Sequence, residues 1–375
     1  MQIAFRVDSS TLIGAGHLMR CLALARELAR SHASVHFVCR SYAGNLNRLI
    51  LESGFACHEL TDLVDQTCSM DHRLWRSELI AADVKETRAV IASIGPIDWL
   101  VVDNYGIDVR WEAAMREACR GIAVIDDLAN RDHDADVLID QNLVEGMETR
   151  YGGRVSANCV ALLGPRYALL RDEFRIARDA CVRDHDEATE FRILAFFGGG
   201  DTSNETGKFL SGWRESTDCS YSLDVVLGAS NPNLSQVRTL TAGLRNVRVH
   251  AQTTQMARLM ATSDYAFGAS GSSNWERFCL GLRATIVSVA ENQIATARAL
   301  QSMGLVDFIG TSEQTNETEY ASALSRIRQK MNAMVSRDRL MNYVDGLGTS
   351  RVAATLVDGG YRGRRCGSRV DYGSV

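Results

Sequence analysis

"QIAFRVDSSTLIGAGHLMRC" (residues 2–21) decides the fold, because a short strand-like run gives way, through two glycines and a histidine, to a different periodicity. Leu18, Cys21, Leu22, Ala25, Leu28 and Ala29 recur at spacings of three and four, the stripe of an amphipathic helix. The same hand-over continues along the first half, where "VHFVC", "WLVVDNY", "GIAVIDD", "DVLIDQN" and "CVALLG" read as strands. Strands alternating with helices predict a mainly parallel sheet. The rhythm breaks at "DACVRDHDEATE" (179–190), which is charged and poorly periodic, and restarts with "RILAFFGGGD", "LDVVLG", "VRVHA", "DYAFGA" and "TIVSVA". The expected class is therefore α/β, with two Rossmann-like domains whose parallel sheets face each other across a cleft. The predicted divisions are an N-terminal domain over 1–165, a linker over 166–190 and a C-terminal domain over 191–350. A poorly ordered, Gly- and Arg-rich tail is expected over 351–375.

At 375 residues and 46% hydrophobic composition the chain can bury a large core. Its 41 Lys+Arg against 46 Asp+Glu leave a formal charge of -5 without a dense basic block, so nucleic acid is not an expected partner. The N-terminus enters a strand at once, without the basic and apolar regions of a signal peptide. Apolar runs such as "WLVV" and "TIVSVA" fall far short of the roughly 20 residues that span a bilayer. The ten cysteines lie singly, with no C-x-x-C pair for zinc or redox chemistry. A cytoplasmic protein with no membrane partner, monomeric or weakly self-associating, is expected.

In an open parallel sheet, ligands gather at the carboxyl ends of the strands, where loops lead into helices. Three such loops stand out: "RVDSSTLIGAGH", "FFGGGDTSN" and "FGASGSSNWE". The first fails the dinucleotide fingerprint, because Met19 stands where its third glycine belongs and the second strand ends in Arg40 instead of an acid. A P-loop fails as well, since Gly207-Lys208 is preceded by Thr202 and followed by Phe209 at the diagnostic positions. What remains is a turn at Gly14 and Gly16 that lets a bulky ligand approach and puts His17 in the first helical turn. The positive end of the helix favours a neutral imidazole there, which suits a general base, although a histidine that only caps the turn reads equally well.

The third loop offers Ser270, Gly271, Ser272 and Ser273 to a diphosphate, and Glu276 one turn later can take both hydroxyls of a ribose. A tight turn for close helix–strand packing is the plainer explanation. Gly200, Asp201 and Asn204 of the second loop could line the same cleft, or Asp201 could simply cap a helix. Asp103, Asp126, Asp127 and Asp140, each at a strand end, could bind sugar hydroxyls, a metal or nothing. "DDLANRDHDAD", with His133, lacks a recognised metal-ligand spacing, so no metal and no cofactor is expected.

Together, "RVDSSTLIGAGHLMRCLALA", "VVDNYGID", "IDDLANR", "DQN", "YALLRDEF", "FGGGDTSN", "GASGSSNWERFCLGL" and "AENQ" occur in the order found in a known family. The sequence resembles the UDP-2,4-diacetamido-2,4,6-trideoxy-β-L-altropyranose hydrolases of bacterial pseudaminic acid biosynthesis over roughly residues 2 to 310. That resemblance implies a glycosyltransferase-B-like fold with UDP held mainly by the C-terminal domain, and His17 as catalytic base. It adds Arg171 as a candidate for the substrate, beside the candidate contacts Gly14, Gly16, Arg20, Asp103, Tyr105, Asn142, Gly200, Asp201 and Asn204 at the strand ends. Ser270, Gly271, Ser272, Ser273, Glu276, Asn292 and Gln293 complete the implied set, and the implied partner is the UDP-activated diacetamido sugar. Ser270 and Arg283 depart from the family pattern, where glycine and proline are usual.

UDP is already a good leaving group, so a single base can suffice where ordinary glycosidases need two carboxylates. The expected reaction is attack of a His17-activated water on the anomeric carbon, with C–O cleavage and inversion. A glycosyltransferase passing the sugar to an acceptor uses the same parts and is the main alternative. A non-catalytic sugar-nucleotide sensor belongs to a third class.

Overall fold

A computed structural model describes residues 1–61, 71–180, 191–215, 221–228, 231–244, 246–333 and 335–359. Seven parallel strands form the first sheet: β1 (Gln2–Val7), β2 (Ser34–Arg40), β3 (Ala56–Leu60), β4 (Ile97–Asp103), β5 (Cys119–Ile125), β6 (Val137–Asp140) and β7 (Val160–Leu163), in the order β3-β2-β1-β4-β5-β6-β7. Six parallel strands form the second: β8 (Phe191–Phe196), β9 (Tyr221–Leu227), β10 (Val247–Ala251), β11 (Tyr265–Ala269), β12 (Arg283–Ser288) and β13 (Asp307–Thr311), in the order β10-β9-β8-β11-β12-β13. Both are doubly wound α/β sheets, as expected.

The central strands read as unbroken apolar runs because helices cover both faces of each sheet. On β4, Trp99 and Val101 point into one core with Phe5, Phe37 and Leu22, while Leu100 and Val102 point into the opposite core with Trp111 and Ile122. The helix Gly16–Arg30 buries Leu18, Cys21, Leu22, Ala25 and Leu28 of the predicted stripe. Two edge strands escaped the sequence reading. "ACHEL" (β3) and "DFIGT" (β13) are only partly buried and carry no apolar alternation, so nothing in their composition marks them.

The sequence also misplaces the end of the fold. Residues expected to begin a poorly ordered tail at 351 lie within a helix, Gly348–Val357, that packs against the first domain. Val352, Ala353 and Leu356 join the core under the helix Gly16–Arg30, and Trp99 Nε1 donates to the Leu356 carbonyl at 2.8 Å. Gly348 permits the approach, since a Cβ there would stand 2.4 Å from the Ala168 carbonyl oxygen. The chain therefore crosses between the domains twice, near 164–172 and again near 343–348. The segments 181–190 and 360–375, parts of the predicted linker and tail, lie outside the described residues.

Candidate functional site

In each sheet the strand order reverses direction beside the first strand, between β1 and β4 and between β8 and β11. Crevices at such switch points are where open α/β sheets bind ligands. The loops at their carboxyl ends are those singled out from sequence, and they meet across the cleft. A Cβ on Gly16 would lie 4.0 Å from Ser272 Oγ, and Asn292 Nδ2 donates to the Tyr105 hydroxyl at 3.3 Å.

The β1 loop is braced before it delivers His17. Ser10 Oγ accepts from the N–H groups of Leu12 and Ile13, the Gly14 N–H donates to the Ser10 carbonyl at 2.9 Å, and Gly14 turns at φ +81°, a conformation that favours glycine. His17 Nδ1 then lies 2.5 Å from Asp103 Oδ1 at the end of β4, and its ring stands edge-on to Tyr105 with centroids 4.5 Å apart. Arg20, one turn along the helix, grips both Asp103 oxygens at 2.6 Å and reaches Asp127 Oδ2 at 2.6 Å. Burial would raise the Asp103 carboxyl, but Arg20 and His17 hold it well below the usual carboxylate range. An ionised carboxylate only accepts, so Nδ1 carries the proton and Nε2 is the ring nitrogen left with a lone pair.

Asp127 is the hub of the same half. It accepts from Arg20, from the Tyr105 hydroxyl at 2.7 Å and from Asn142 Nδ2 at 3.1 Å. Asn104 fixes the Tyr105 turn, donating to Asp8 at 2.8 Å and accepting from the Gly106 N–H at 2.7 Å. Arg150, from a loop with no sequence signal, donates to Asp140 at 2.8 Å and to the Asp127 carbonyl at 3.2 Å. Burial, with the Asp127 charge, pushes the Asp140 carboxyl up to about 7.

These contacts correct two expectations. Asp103 and Arg20 are expected to touch the substrate, yet Asp103 is buried with both oxygens taken, and Arg20 is buried between two carboxylates. Their geometry makes them supports for His17. The acid-rich segment after β5 is likewise consumed internally: Asp126 pairs with Arg131, Asp134 and Asp136 with Arg116, and His133 with Glu112 at 2.7 Å.

In the C-terminal half, the predicted loop after β11 splits by side-chain direction. Ser270 is buried; its N–H donates to the Val287 carbonyl and its hydroxyl accepts from Asn274, so both groups have partners inside the protein. Among the described residues, the backbone N–H groups of Gly271, Ser272 and Ser273 have no partner within the chain. Glu276 sits behind them at 3.5 Å from Arg171, which also contacts Glu173 at 2.8 Å. Burial raises the Glu276 carboxyl and Arg171 opposes that rise. Gln293 lies beside the loop, its Nε2 3.5 Å from where a Gly271 Cβ would stand, while its Oε1 accepts from the Val289 N–H.

The loop after β8 is a further correction. Gly200 is exposed, but Asp201 is buried and accepts from the Glu205 and Thr206 N–H groups at 2.8 and 3.0 Å, capping the next helix. Asn204 accepts from Gly207 and donates to Gln236. Both side chains are occupied in starting a helix. Arg283, the other departure from the family pattern, opens β12 and donates to the Val335 carbonyl at 2.8 Å.

The architecture belongs to the glycosyltransferase-B fold class. MurG of Acinetobacter baumannii superimposes with a TM-score of 0.63 at 13% identity, covering 96% of this chain and 100% of that one. The glycotransferase of kitacinnamycin gives 0.64 at 15% identity, covering 95% and 98%.

Among named proteins, the chain is 27% identical over 305 residues to the UDP-2,4-diacetamido-2,4,6-trideoxy-β-L-altropyranose hydrolase of Campylobacter jejuni, covering 81% of this chain and 97% of that one. It is 24% identical over 299 residues to an uncharacterized protein of Methanocaldococcus jannaschii, covering 78% and 56%. It is 29% identical over 206 residues to the spore coat polysaccharide biosynthesis protein SpsG of Bacillus subtilis, covering 54% and 60%. The chain thus spans little more than half the length of the last two. No family model matches it. Among the described residues, no helix is long and apolar enough to cross a membrane.

Proposed function

We propose that this protein is a UDP-sugar hydrolase that releases UDP from UDP-2,4-diacetamido-2,4,6-trideoxy-β-L-altropyranose, a step of pseudaminic acid biosynthesis. The observation that carries the proposal is His17 held through Nδ1 by an ionised Asp103, opposite a loop whose N–H groups are unpaired. The likeness to the Campylobacter jejuni hydrolase over nearly its whole length supports the choice of substrate.

In this reading the diphosphate lies on the Gly271–Ser273 turn and Glu276 accepts from the ribose hydroxyls. Tyr105, Asn142, Asn292 and Gln293 surround the sugar. His17 Nε2 removes a proton from water as the water oxygen bonds to the anomeric carbon. The bond from that carbon to the diphosphate oxygen breaks, and its electron pair leaves with UDP. Attack opposite the leaving group inverts the anomeric centre and gives free 2,4-diacetamido-2,4,6-trideoxy-L-altrose. Asp103 holds the ring tautomer and stabilises the imidazolium formed, and no metal takes part.

Incubation of the protein with the UDP-sugar alone in ¹⁸O-water tests this. The expected outcome is steady release of UDP and free sugar, with the label on the sugar and none on UDP. Label on UDP would place the cleavage at phosphorus. Turnover that begins only when an acceptor is added would make the protein a glycosyltransferase.

A further inference from the structure

Arg277, in the helix that follows the loop after β11, is a buried cation whose charge the proposed mechanism leaves without a role. Its residue is 1% exposed, and among the described residues no carboxylate lies within ion-pair distance of its guanidinium. Nη2 donates to the Ala269 carbonyl at 2.9 Å and to Asn274 Oδ1 at 2.5 Å, and Nε has no hydrogen-bond partner. Nη1 packs against Gly268, where an added Cβ would stand 2.6 Å away and collide also with the Phe196 carbonyl oxygen at 2.4 Å. The absent side chain at 268 is what admits the guanidinium against the end of β11.

Burial of a charge without a partner is costly, and proteins ordinarily pair such groups. Arg6, Arg20, Arg40 and Arg131, the other buried arginines among the described residues, each contact a carboxylate. We propose that Arg277 is the fixed countercharge for the diphosphate: its missing anion is supplied by the ligand, seated on the unpaired N–H groups of Gly271, Ser272 and Ser273, which follow directly on the Ala269 carbonyl that Arg277 holds. The inference rests on the nucleotide-diphosphate reading of the same loop. Arg277 acts through the loop it braces and through its charge in a low-dielectric setting. Burial draws its pKa down to about 10, against the opposing pull of Glu276, so the cation persists at neutral pH.

The test is the preference for UDP over uridine, measured by calorimetry on the wild-type protein and on Arg277→Met and Arg277→Lys. Arg277→Met should lose about 10- to 100-fold in UDP affinity, the span for removing a charged partner, while uridine affinity stays within about threefold. Arg277→Lys, which keeps the charge and loses the fork, should recover part of the preference. An unchanged preference in Arg277→Met overturns the inference, and so does an equal loss for both ligands, which is the mark of a merely structural brace. Independently of any variant, inorganic pyrophosphate alone should raise the melting temperature of the wild-type protein and compete with other ligands of the loop. Absence of pyrophosphate binding overturns the inference even if Arg277→Met does not fold. A wild-type protein that binds pyrophosphate but not UDP overturns the nucleotide reading while leaving the countercharge in place.

Discussion

The two halves of the cleft are built on opposite principles. On the N-terminal side every acidic group near His17 is paired, through Arg20, Tyr105, Asn142 and Arg150, into one network anchored at Asp103 and Asp127. On the C-terminal side, among the described residues, the loop after β11 keeps three N–H groups unpaired next to the Ala269 carbonyl held by Arg277, a cation with no carboxylate within ion-pair distance. A network that is complete before the ligand arrives holds a reacting side chain in place without reorganisation. A surface left electrostatically incomplete gains the most when an anion completes it.

The sharpest way to break this contrast is to remove the base. His17→Ala should lower turnover by about 10²- to 10⁴-fold while UDP still binds, because the nucleotide half is untouched. Asp103→Asn should fall within the same range, since the amide can present the wrong hydrogen-bonding partner to Nδ1. If the two act as one unit, the double variant should be no slower than His17→Ala alone, as steady-state kinetics on all four proteins will show. Near-normal turnover by His17→Ala would remove the chemical half from the scheme.

A smaller effect is expected at Arg171, which opposes the burial-driven rise of Glu276. Without that cation the carboxyl should protonate at higher pH. UDP affinity of Arg171→Met should therefore fall by roughly three- to tenfold between pH 8 and pH 6, more steeply than in the wild-type protein. Parallel pH profiles for the two proteins would dissociate Arg171 from nucleotide recognition.

The smallest effect concerns the buried support behind the first half. Burial alone would lower the His133 imidazole, but Asp126 and Glu112 raise it to about 9. A folded-state value above the unfolded one, about 6.5, adds stability that is complete below pH 6.5 and is lost as pH rises through about 9. The wild-type melting temperature should fall between pH 7 and pH 10 by more than that of His133→Gln. Equal slopes in thermal melts would show that His133 does not titrate with folding.

What could be read in the chain was whatever depends on local pattern. The glycine turn at Gly14, the helix stripe through Leu28 and the buried strands around Val101 each carry a period or a conformational demand that neighbouring residues express. Strands β3 and β13 lacked such a pattern because they lie at sheet edges with half-exposed faces. Ser270, Asp201 and Asn204 read as cleft residues because they sit in loops at the strand ends, and loop membership does not tell where a side chain points. Arg150 and Arg277 had no signal at all, one lying in an irregular loop and the other inside a helix that reads as ordinary core.

The sequence by itself determined two parallel α/β units, the loops at their strand ends and a histidine opening the first helix, because these follow from periodicity and from residue types with few local alternatives. Only the tertiary structure decided that Asp103, 86 residues from His17, is its partner, and that the helix Gly348–Val357 returns to cover Trp99. It also decided that Arg277 is buried against the Ala269 carbonyl with, among the described residues, no carboxylate within ion-pair distance and no partner for Nε. Those facts depend on which strands become neighbours and on which charges are left without a partner once they have, and no local pattern encodes either.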